Sequence, residues 1–207
     1  MENRNTEKEN LDRENETKKE KGAAGAKGKA VARSAAIWAV YFAVVVLIVV
    51  LIQAFIAFCA VMSAESMAPA LSAGDHAVFL RKADYKPERG DIVMFTRNDG
   101  DKIPRWGALD AMCKRVIGIP GDKIEIKDGK VYLNGEKLDE PYLAENTSTG
   151  LPSADGEAVY SVPEGCVFVL GDNRGNSDDS RFWKSGPYLS TKRVFAKHWF
   201  TYFHAGR

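Results

Sequence analysis

Ser66 has the strongest sequence context for covalent chemistry in this 207-residue chain. It lies in the stretch 63–71, SAESMAPAL, which follows almost directly on a long run without charged residues. A serine hydroxyl is a poor nucleophile at neutral pH unless a neighbouring base takes its proton. Whether Ser66 is a nucleophile or only a turn residue therefore depends on which side chain could be that base.

Histidine is the usual base for a serine, and the chain has three, His76, His198 and His204. His76 lies in a turn-like Gly-Asp-His sequence, and the other two lie in an aromatic segment at the C-terminus. A Ser–His–Asp triad stays an alternative, but these surroundings give no positive argument for it.

Lysine is the other candidate base, and it requires an apolar setting that favours the neutral amine. A shift of the pKa from about 10.4 to near 7 requires roughly 4 to 5 kcal/mol of differential interaction, mostly desolvation. Lys114 has such a setting, because Met112 and Cys113 precede it and the apolar run 116–119 follows Arg115. Most other lysines lie among charges or turns and are expected to be solvated.

The N-terminal part of the chain predicts a membrane anchor. Residues 1–34 are polar and charged and predict a disordered cytoplasmic tail. Residues 35–58 are almost continuously apolar and predict one transmembrane helix, which needs about 20 such residues. Lysines and arginines precede this segment, and none follows it before Arg81. The positive-inside rule then places the N-terminus in the cytoplasm and residues 59–207 outside.

Residues 59–207 read as a mainly β domain. Short β-prone runs at 77–80, 91–95, 123–126 and 166–170 are separated by turn residues. Asp128-Gly129 is a two-residue hairpin signal, and residues from about 123 to 168 predict an insertion rich in hairpins and loops.

Charge and cysteine content exclude two classes of function. Residues 1–34 hold nine Lys/Arg and seven Asp/Glu of the 29 and 28 in the chain, so the remainder carries 20 and 21 and predicts no nucleic-acid binding. Cys59, Cys113 and Cys166 have neither CxxC spacing nor paired histidines, so neither a zinc site nor any other metal or cofactor is predicted. Buried thiols are the preferred interpretation, with a Cys113–Cys166 disulfide as the alternative.

Four sequence blocks, in this order after the apolar segment, closely resemble type I signal peptidase. They are SMAPAL at 66–71, RGDIVMF at 89–95, KRVIGIPGD at 114–122 and GDNRGNSDDSR at 171–181, and the resemblance extends over residues 37–200. It implies a β-rich, extracytoplasmic catalytic domain of the signal-peptidase type. It also implies that Ser66 is the nucleophile, Lys114 the general base and Ser177 the residue that orients the lysine amine, while Asp179 and Arg181 form a supporting ion pair.

The resemblance further implies a serine endopeptidase in the plasma membrane that cuts signal peptides from secretory pre-proteins after Ala-x-Ala sequences. Signal peptides and the lipid bilayer are the expected partners, with the secretion translocon close by. One departure concerns Ala64, where the family commonly has Ser or Gly. The oxyanion would then depend on the backbone N–H of Ser66.

Two other functions stay open at this stage. A membrane-anchored β-domain could bind a partner without catalysis, although such a relative would be expected to lack Ser66 or Lys114. A self-cleaving cytoplasmic repressor could use the same residue pair, but it conflicts with the apolar segment and would need a helix-turn-helix segment.

Overall fold

The computed structural model describes residues 34, 36–81, 85–96, 111–152 and 156–206. Within them, helix α1 (Ala36–Phe55) is long and apolar enough to cross a membrane. The predicted tail, apart from Ser34, lies outside the described residues. Helix α1 ends three residues before the predicted end of the span at 58, because Phe58 already belongs to a strand and packs its ring against Phe79.

Residues 51–206 contain a mainly β fold, as the sequence predicted. Among the described residues, the larger sheet has seven strands in the order β1-β2-β11-β3-β4-β9-β10, and the smaller has four in the order β7-β6-β5-β8. The strands are β1 (Ala57–Val61), β2 (His76–Arg81), β3 (Ile92–Thr96), β4 (Ala111–Gly118), β5 (Lys123–Lys127), β6 (Lys130–Leu133), β7 (Glu136–Lys137), β8 (Glu157–Ser161), β9 (Cys166–Leu170), β10 (Leu189–Ser190) and β11 (Val194–Phe203).

The middle of the larger sheet is buried on both faces. All five residues of β3 are buried, and this strand pairs antiparallel with β4 and with β11. The last strand of the chain therefore lies between β2 and β3. Strand β4 gains a rigid setting from these neighbours, which fixes the direction of the side chains that it carries.

The loop after β1 is held by its own apolar side chains. Met67 and Leu71 are buried in the cluster that contains Phe79 and Phe195. The backbone of this loop closes on itself, since the N–H of Leu71 donates to the carbonyl of Met67 at 2.9 Å. Ser66 precedes the first of these anchors and is thereby held at the edge of the core.

The smaller sheet forms most of the predicted 123–168 insertion. Its β5–β6 hairpin turns at Asp128 and Gly129, whose φ angles are 51° and 70°, as expected for a type I′ turn. Ile124, Ile126 and Val131 bury their side chains against Phe168 and Leu170 of β9. Strand β9 itself, which begins at Cys166, belongs to the larger sheet.

Candidate active site

Lys114 and Ser66 lie side by side in the structure. Lys114 is on β4 opposite Val93, and only 3% of its surface is exposed. Its Nζ lies 2.7 Å from Oγ of Ser66 and donates a second hydrogen bond to the carbonyl of Cys113 at 3.1 Å. Burial of the amine lowers the pKa of Lys114, because the charged form loses its hydration. The candidate base thus contacts the candidate nucleophile, and its burial favours the neutral amine.

The loop 171–181 holds the backbone of Ser66 from the other side. The N–H of Asn173 donates to the carbonyl of Ser66 at 3.1 Å, and its side-chain Nδ2 donates to the carbonyl of Glu65 at 3.1 Å. Gly171 leaves no room for a Cβ, which would meet the carbonyl oxygen of Ser66 and the side chain of Ser177. The loop and the serine therefore fit together at backbone contact.

Asp179 and Arg181 form a buried ion pair within this loop. Nε of Arg181 donates to Oδ1 of Asp179 at 2.8 Å, and both side chains are 0% exposed. Asp179 also accepts the N–H of Gly171 at 3.0 Å, while Arg181 donates to the carbonyls of Arg174 and Gly150, each at 2.9 Å. The pair cross-links the two ends of the loop.

Ser177 lies close to this centre without a direct bond to Lys114. Its Oγ is buried and has no hydrogen-bond partner within the part of the chain that the structure describes. Its side chain is adjacent to Gly171, which is itself in contact with the Ser66 carbonyl. The structure thus brings Ser177 to the site, and its hydroxyl is available to a new partner.

Two ion pairs next to the candidate site were not predicted from the sequence. Arg115 donates to both carboxylate oxygens of Asp172, at 2.8 and 2.6 Å, and Arg174 donates to both oxygens of Glu140. A sequence signal did exist for the first pair, because Arg115 interrupts an apolar strand and Asp172 follows another. Nothing in the sequence pattern identified Glu140.

A cleft of about 550 Å³ leads to Ser66 and Lys114. One wall consists of residues 58–64, and the other includes residues 111–114 of β4. Most of its side chains are apolar, with Ala64 beside the serine and Met62, Met94 and Met112 among the lining residues. An extended peptide could lie between these two extended segments with its scissile bond at Ser66.

The histidines contact other groups. His76 hydrogen-bonds Tyr202, His198 hydrogen-bonds Thr201, and His204 hydrogen-bonds Asp75. These contacts give no support to the histidine alternative.

The three cysteines are free thiols, so the alternative Cys113–Cys166 disulfide is not formed. Burial raises the pKa of Cys113 to about 12, which keeps the thiol beside Lys114 protonated at neutral pH. Within the described ranges, no three His, Cys, Asp or Glu side chains converge into a metal-binding group.

The sequence of this chain matches a known family of peptidases over most of its length. A family model described as "Signal peptidase, peptidase S26" matches residues 35–203. The match includes the apolar helix, both walls of the cleft and the loop 171–181. This chain belongs to the signal peptidase family, peptidase S26.

Individual relatives agree with this assignment. "Probable signal peptidase I-2" of Synechocystis is 38% identical over 152 residues, which cover 72% of this chain and 66% of the relative. "Signal peptidase I S" of Bacillus subtilis is 35% identical over 166 residues, which cover 77% of this chain and 83% of the relative. "Signal peptidase IB" of Staphylococcus aureus is 37% identical over 160 residues, which cover 70% and 78%.

A crystal structure of a signal peptidase I from Enterococcus faecalis is also similar in sequence, at 33% identity. The superposition covers 54% of this chain and 96% of that chain with a TM-score of 0.38.

Proposed function

We propose that this protein removes signal peptides from secretory pre-proteins, as a membrane-bound serine endopeptidase with Ser66 as nucleophile and Lys114 as general base. The observation that carries the proposal is the 2.7 Å approach of Nζ to Oγ, made by an amine that is almost fully buried. Family membership independently supports signal-peptide removal.

The proposed reaction needs only these side chains and water. Neutral Lys114 takes the proton of the Ser66 hydroxyl while Oγ forms a bond to the substrate carbonyl carbon. The resulting ammonium then gives its proton to the leaving amine as the peptide bond breaks. Water attacks the acyl ester, Lys114 takes a proton from that water, and the proton returns to Ser66 as the ester bond breaks.

The developing oxyanion would be bound by the backbone N–H of Ser66. Ala64 lines the cleft next to the serine but has no hydroxyl to add as a second donor. Ser177 is proposed to orient the Lys114 amine, since its Oγ is buried beside Gly171, has no hydrogen-bond partner within the described residues and could accept an N–H. The Asp179–Arg181 pair is proposed to hold the loop that carries this serine.

The shape and lining of the cleft support a substrate with small side chains before the cut. Pre-protein segments of the Ala-x-Ala type would lie extended between residues 58–64 and 111–114, with backbone pairing fixing their register. Larger side chains would be excluded by shallow apolar pockets on either side. The unfolded cleavage region of a signal peptide can adopt this extended form.

The proposed location follows from the apolar helix and the charges around it. Helix α1 would cross the plasma membrane once, with the basic N-terminal residues in the cytoplasm and the catalytic domain outside. A signal peptide lies in the same bilayer, so shared anchoring raises the effective concentration of the substrate. Proximity to the secretion translocon would follow from that substrate supply.

Cleavage by purified full-length protein in detergent tests the proposal. Ser66→Ala and Lys114→Ala should leave the fold intact and abolish cleavage of a peptide with an Ala-x-Ala site. Ser161→Ala and Lys130→Ala are matched controls, because both residues are exposed on strands of the smaller sheet. Full activity in either site variant would contradict the pair.

A further inference from the structure

A loop of the smaller sheet contacts two arginines that border the candidate active site. This grip loop, residues 138–152, begins directly after β7 and includes Glu140, Tyr142 and Thr149. Glu140 binds both terminal nitrogens of Arg174, and Oγ1 of Thr149 accepts a further bond from Arg174 at 2.5 Å. The side chain of Arg174 is 0% exposed, and its Nε donates to the carbonyl of Gly171 at 3.1 Å, so Glu140 and Thr149 supply the remaining acceptors that the buried charge needs.

Tyr142 joins this cluster to the second arginine. The guanidinium carbon of Arg115 lies 3.9 Å from the centre of the Tyr142 ring, within the range of a cation–π contact. The hydroxyl of Tyr142 donates to Oε1 of Glu140 at 2.8 Å. One side chain therefore touches Arg115 through its ring and the partner of Arg174 through its hydroxyl.

Each arginine is adjacent in sequence to a residue that either belongs to the Ser66–Lys114 pair or is hydrogen-bonded to it. Arg115 follows Lys114 directly on β4. Arg174 follows Asn173, whose N–H donates to the carbonyl of Ser66. Arg115 also binds the carboxylate of Asp172 on the far side of Asn173, with Asp172 only 1% exposed. A shift of either arginine would be transmitted along the backbone to Ser66 or to Lys114.

We propose that Glu140 and Tyr142 are positioning residues for the Ser66–Lys114 pair, acting through Arg174 and Arg115. The inference rests on the proposed function of that pair. Loss of the Glu140 charge leaves the buried guanidinium of Arg174 with only Thr149 and the carbonyl of Gly171 as acceptors. Loss of the Tyr142 ring removes the contact that covers the guanidinium of Arg115. In either case the backbone at Asn173 or Lys114 moves to compensate. Because neither residue lines the cleft, substrate binding is left largely intact.

The variants are chosen to remove one contact at a time. Glu140→Gln removes the charge with little change of shape, Tyr142→Leu removes the ring, and Tyr142→Phe removes only the hydroxyl. Glu136→Gln and Tyr132→Leu are the matched controls on the same sheet. Glu136 is exposed, and the ring of Tyr132 also contacts a cation, Lys127, at 4.6 Å, but this pair lies in the β5–β6 hairpin.

Peptide cleavage is measured with full-length protein and normalised to active sites titrated with an acylating inhibitor. Glu140→Gln and Tyr142→Leu should lower kcat per active site about tenfold or more, as small displacements of reacting groups do, with KM within about twofold of wild type. Tyr142→Phe should retain most of the activity that Tyr142→Leu loses. Both controls should match wild type.

A second measurement does not require catalysis. Lys114 is labelled with an amine-reactive reagent over a range of pH, and the labelled peptide is counted by mass spectrometry. A displaced amine is better hydrated, so in Glu140→Gln and Tyr142→Leu the pH at which labelling begins should rise towards that of an exposed lysine. A role limited to global stability would lower the melting temperature without moving this pH.

Two outcomes would overturn the proposal. One is an unchanged kcat per active site in both variants, and the other is a Lys114 labelling profile identical to that of wild type. Failure of the proposed function gives a different result, because wild-type protein would then show no cleavage while the labelling comparison still reports on the position of Lys114.

Discussion

The amine of Lys114 and the hydroxyl of Ser66 meet at 2.7 Å across 48 positions of sequence. The two groups come from different kinds of element, a buried central strand and a loop fixed by Met67 and Leu71. Because the strand cannot move without disturbing a fully buried neighbour, β3, the amine stays in an apolar setting. The packing of the sheet thus lowers the pKa of Lys114, which a Lys–Ser mechanism requires.

We expect activity to depend on pH through Lys114. Only the neutral amine can take the serine proton, so kcat/KM should rise as the amine loses its charge. Burial lowers the pKa of Lys114, and the rise should therefore occur below the ordinary value of about 10.4. Initial rates on an Ala-x-Ala peptide between about pH 5 and 10 would measure the midpoint.

The control for this pH dependence is a variant in which water reaches the amine of Lys114. Met94 lines the cleft, and Met94→Gln should admit water to the lysine and move the midpoint upwards. A profile that stays flat from about pH 6 to 10 in the wild type would be inconsistent with a lysine base.

Gly171→Ala should disable the site although it adds only one methyl group. The new Cβ would collide with the backbone oxygen of Ser66 and with the side chain of Ser177, and the backbone contact cannot be relieved by a rotamer change. Overpacking of this kind costs about 1 to 3 kcal/mol. We expect a large loss of kcat together with a lower melting temperature.

Gly175→Ala is the matched substitution in the same loop. A Cβ at Gly175 would meet no atom within 4 Å, so this variant should cleave peptide at the wild-type rate. Equal activity in the two alanine variants would show that the close fit between the loop and Ser66 is unimportant for catalysis.

Local sequence patterns predicted the single elements of the fold better than their arrangement. The β-prone run 91–95 corresponds to β3, and the Asp128-Gly129 signal to a hairpin, because both depend on neighbouring residues. The position of β11 between β2 and β3 depends on pairing across the whole domain. No local pattern in the last segment of the chain indicates those partners.

The candidate site shows the same limit. Ordered motifs identified Ser66, Lys114 and the loop 171–181, since each motif is continuous in the sequence. Glu140 and Tyr142 lie in what read as an insertion, and their contacts with Arg174 and Arg115 join distant segments. Such contacts depend on how the smaller sheet packs on the larger one, which composition and periodicity do not report.

Ala64→Ser tests whether the oxyanion lacks a donor. A hydroxyl at this cleft position could donate to the oxyanion beside the N–H of Ser66, and one such donor is worth about a hundredfold or more in rate where it has been removed from other proteases. We expect kcat to rise with KM unchanged. The rise in kcat should be about tenfold at most, which is smaller than the rate loss seen when a native donor is removed. The reason is that the surrounding residues do not position the added hydroxyl.

Ala64→Cys separates hydrogen bonding from packing. A thiol is close in size to a hydroxyl but is a weak donor, so this variant should not share the gain. A similar increase in both variants would attribute the effect to a better filled cleft.

Asp122 provides a test of stability against acid, away from the reacting groups. Although burial raises the pKa of this carboxyl, hydrogen bonds from the side chains of Arg89 and Asn134 and from the N–H of Ile119 lower it to about 2. The ordinary value is 3.8. A group with a depressed pKa stabilises the folded state above its unfolded-state value and loses that contribution as pH falls through the folded-state value.

Asp122→Asn should therefore unfold more easily at neutral pH, and its difference from wild type should shrink between about pH 4 and 2. We expect the free energy of unfolding at neutral pH to fall by about 1 to 2 kcal/mol in this variant. This loss is less than the full pKa change implies, because the Arg89 side chain is 45% exposed and its charge is screened. Urea unfolding of full-length protein in detergent, followed by tryptophan fluorescence, measures this difference.

Asp139→Asn is the control. It removes an exposed carboxylate two residues after β7, and its stability should match that of wild type at every pH. A constant difference between Asp122→Asn and wild type down to pH 2 would mean that the shape of the side chain, and not its charge, stabilises this turn.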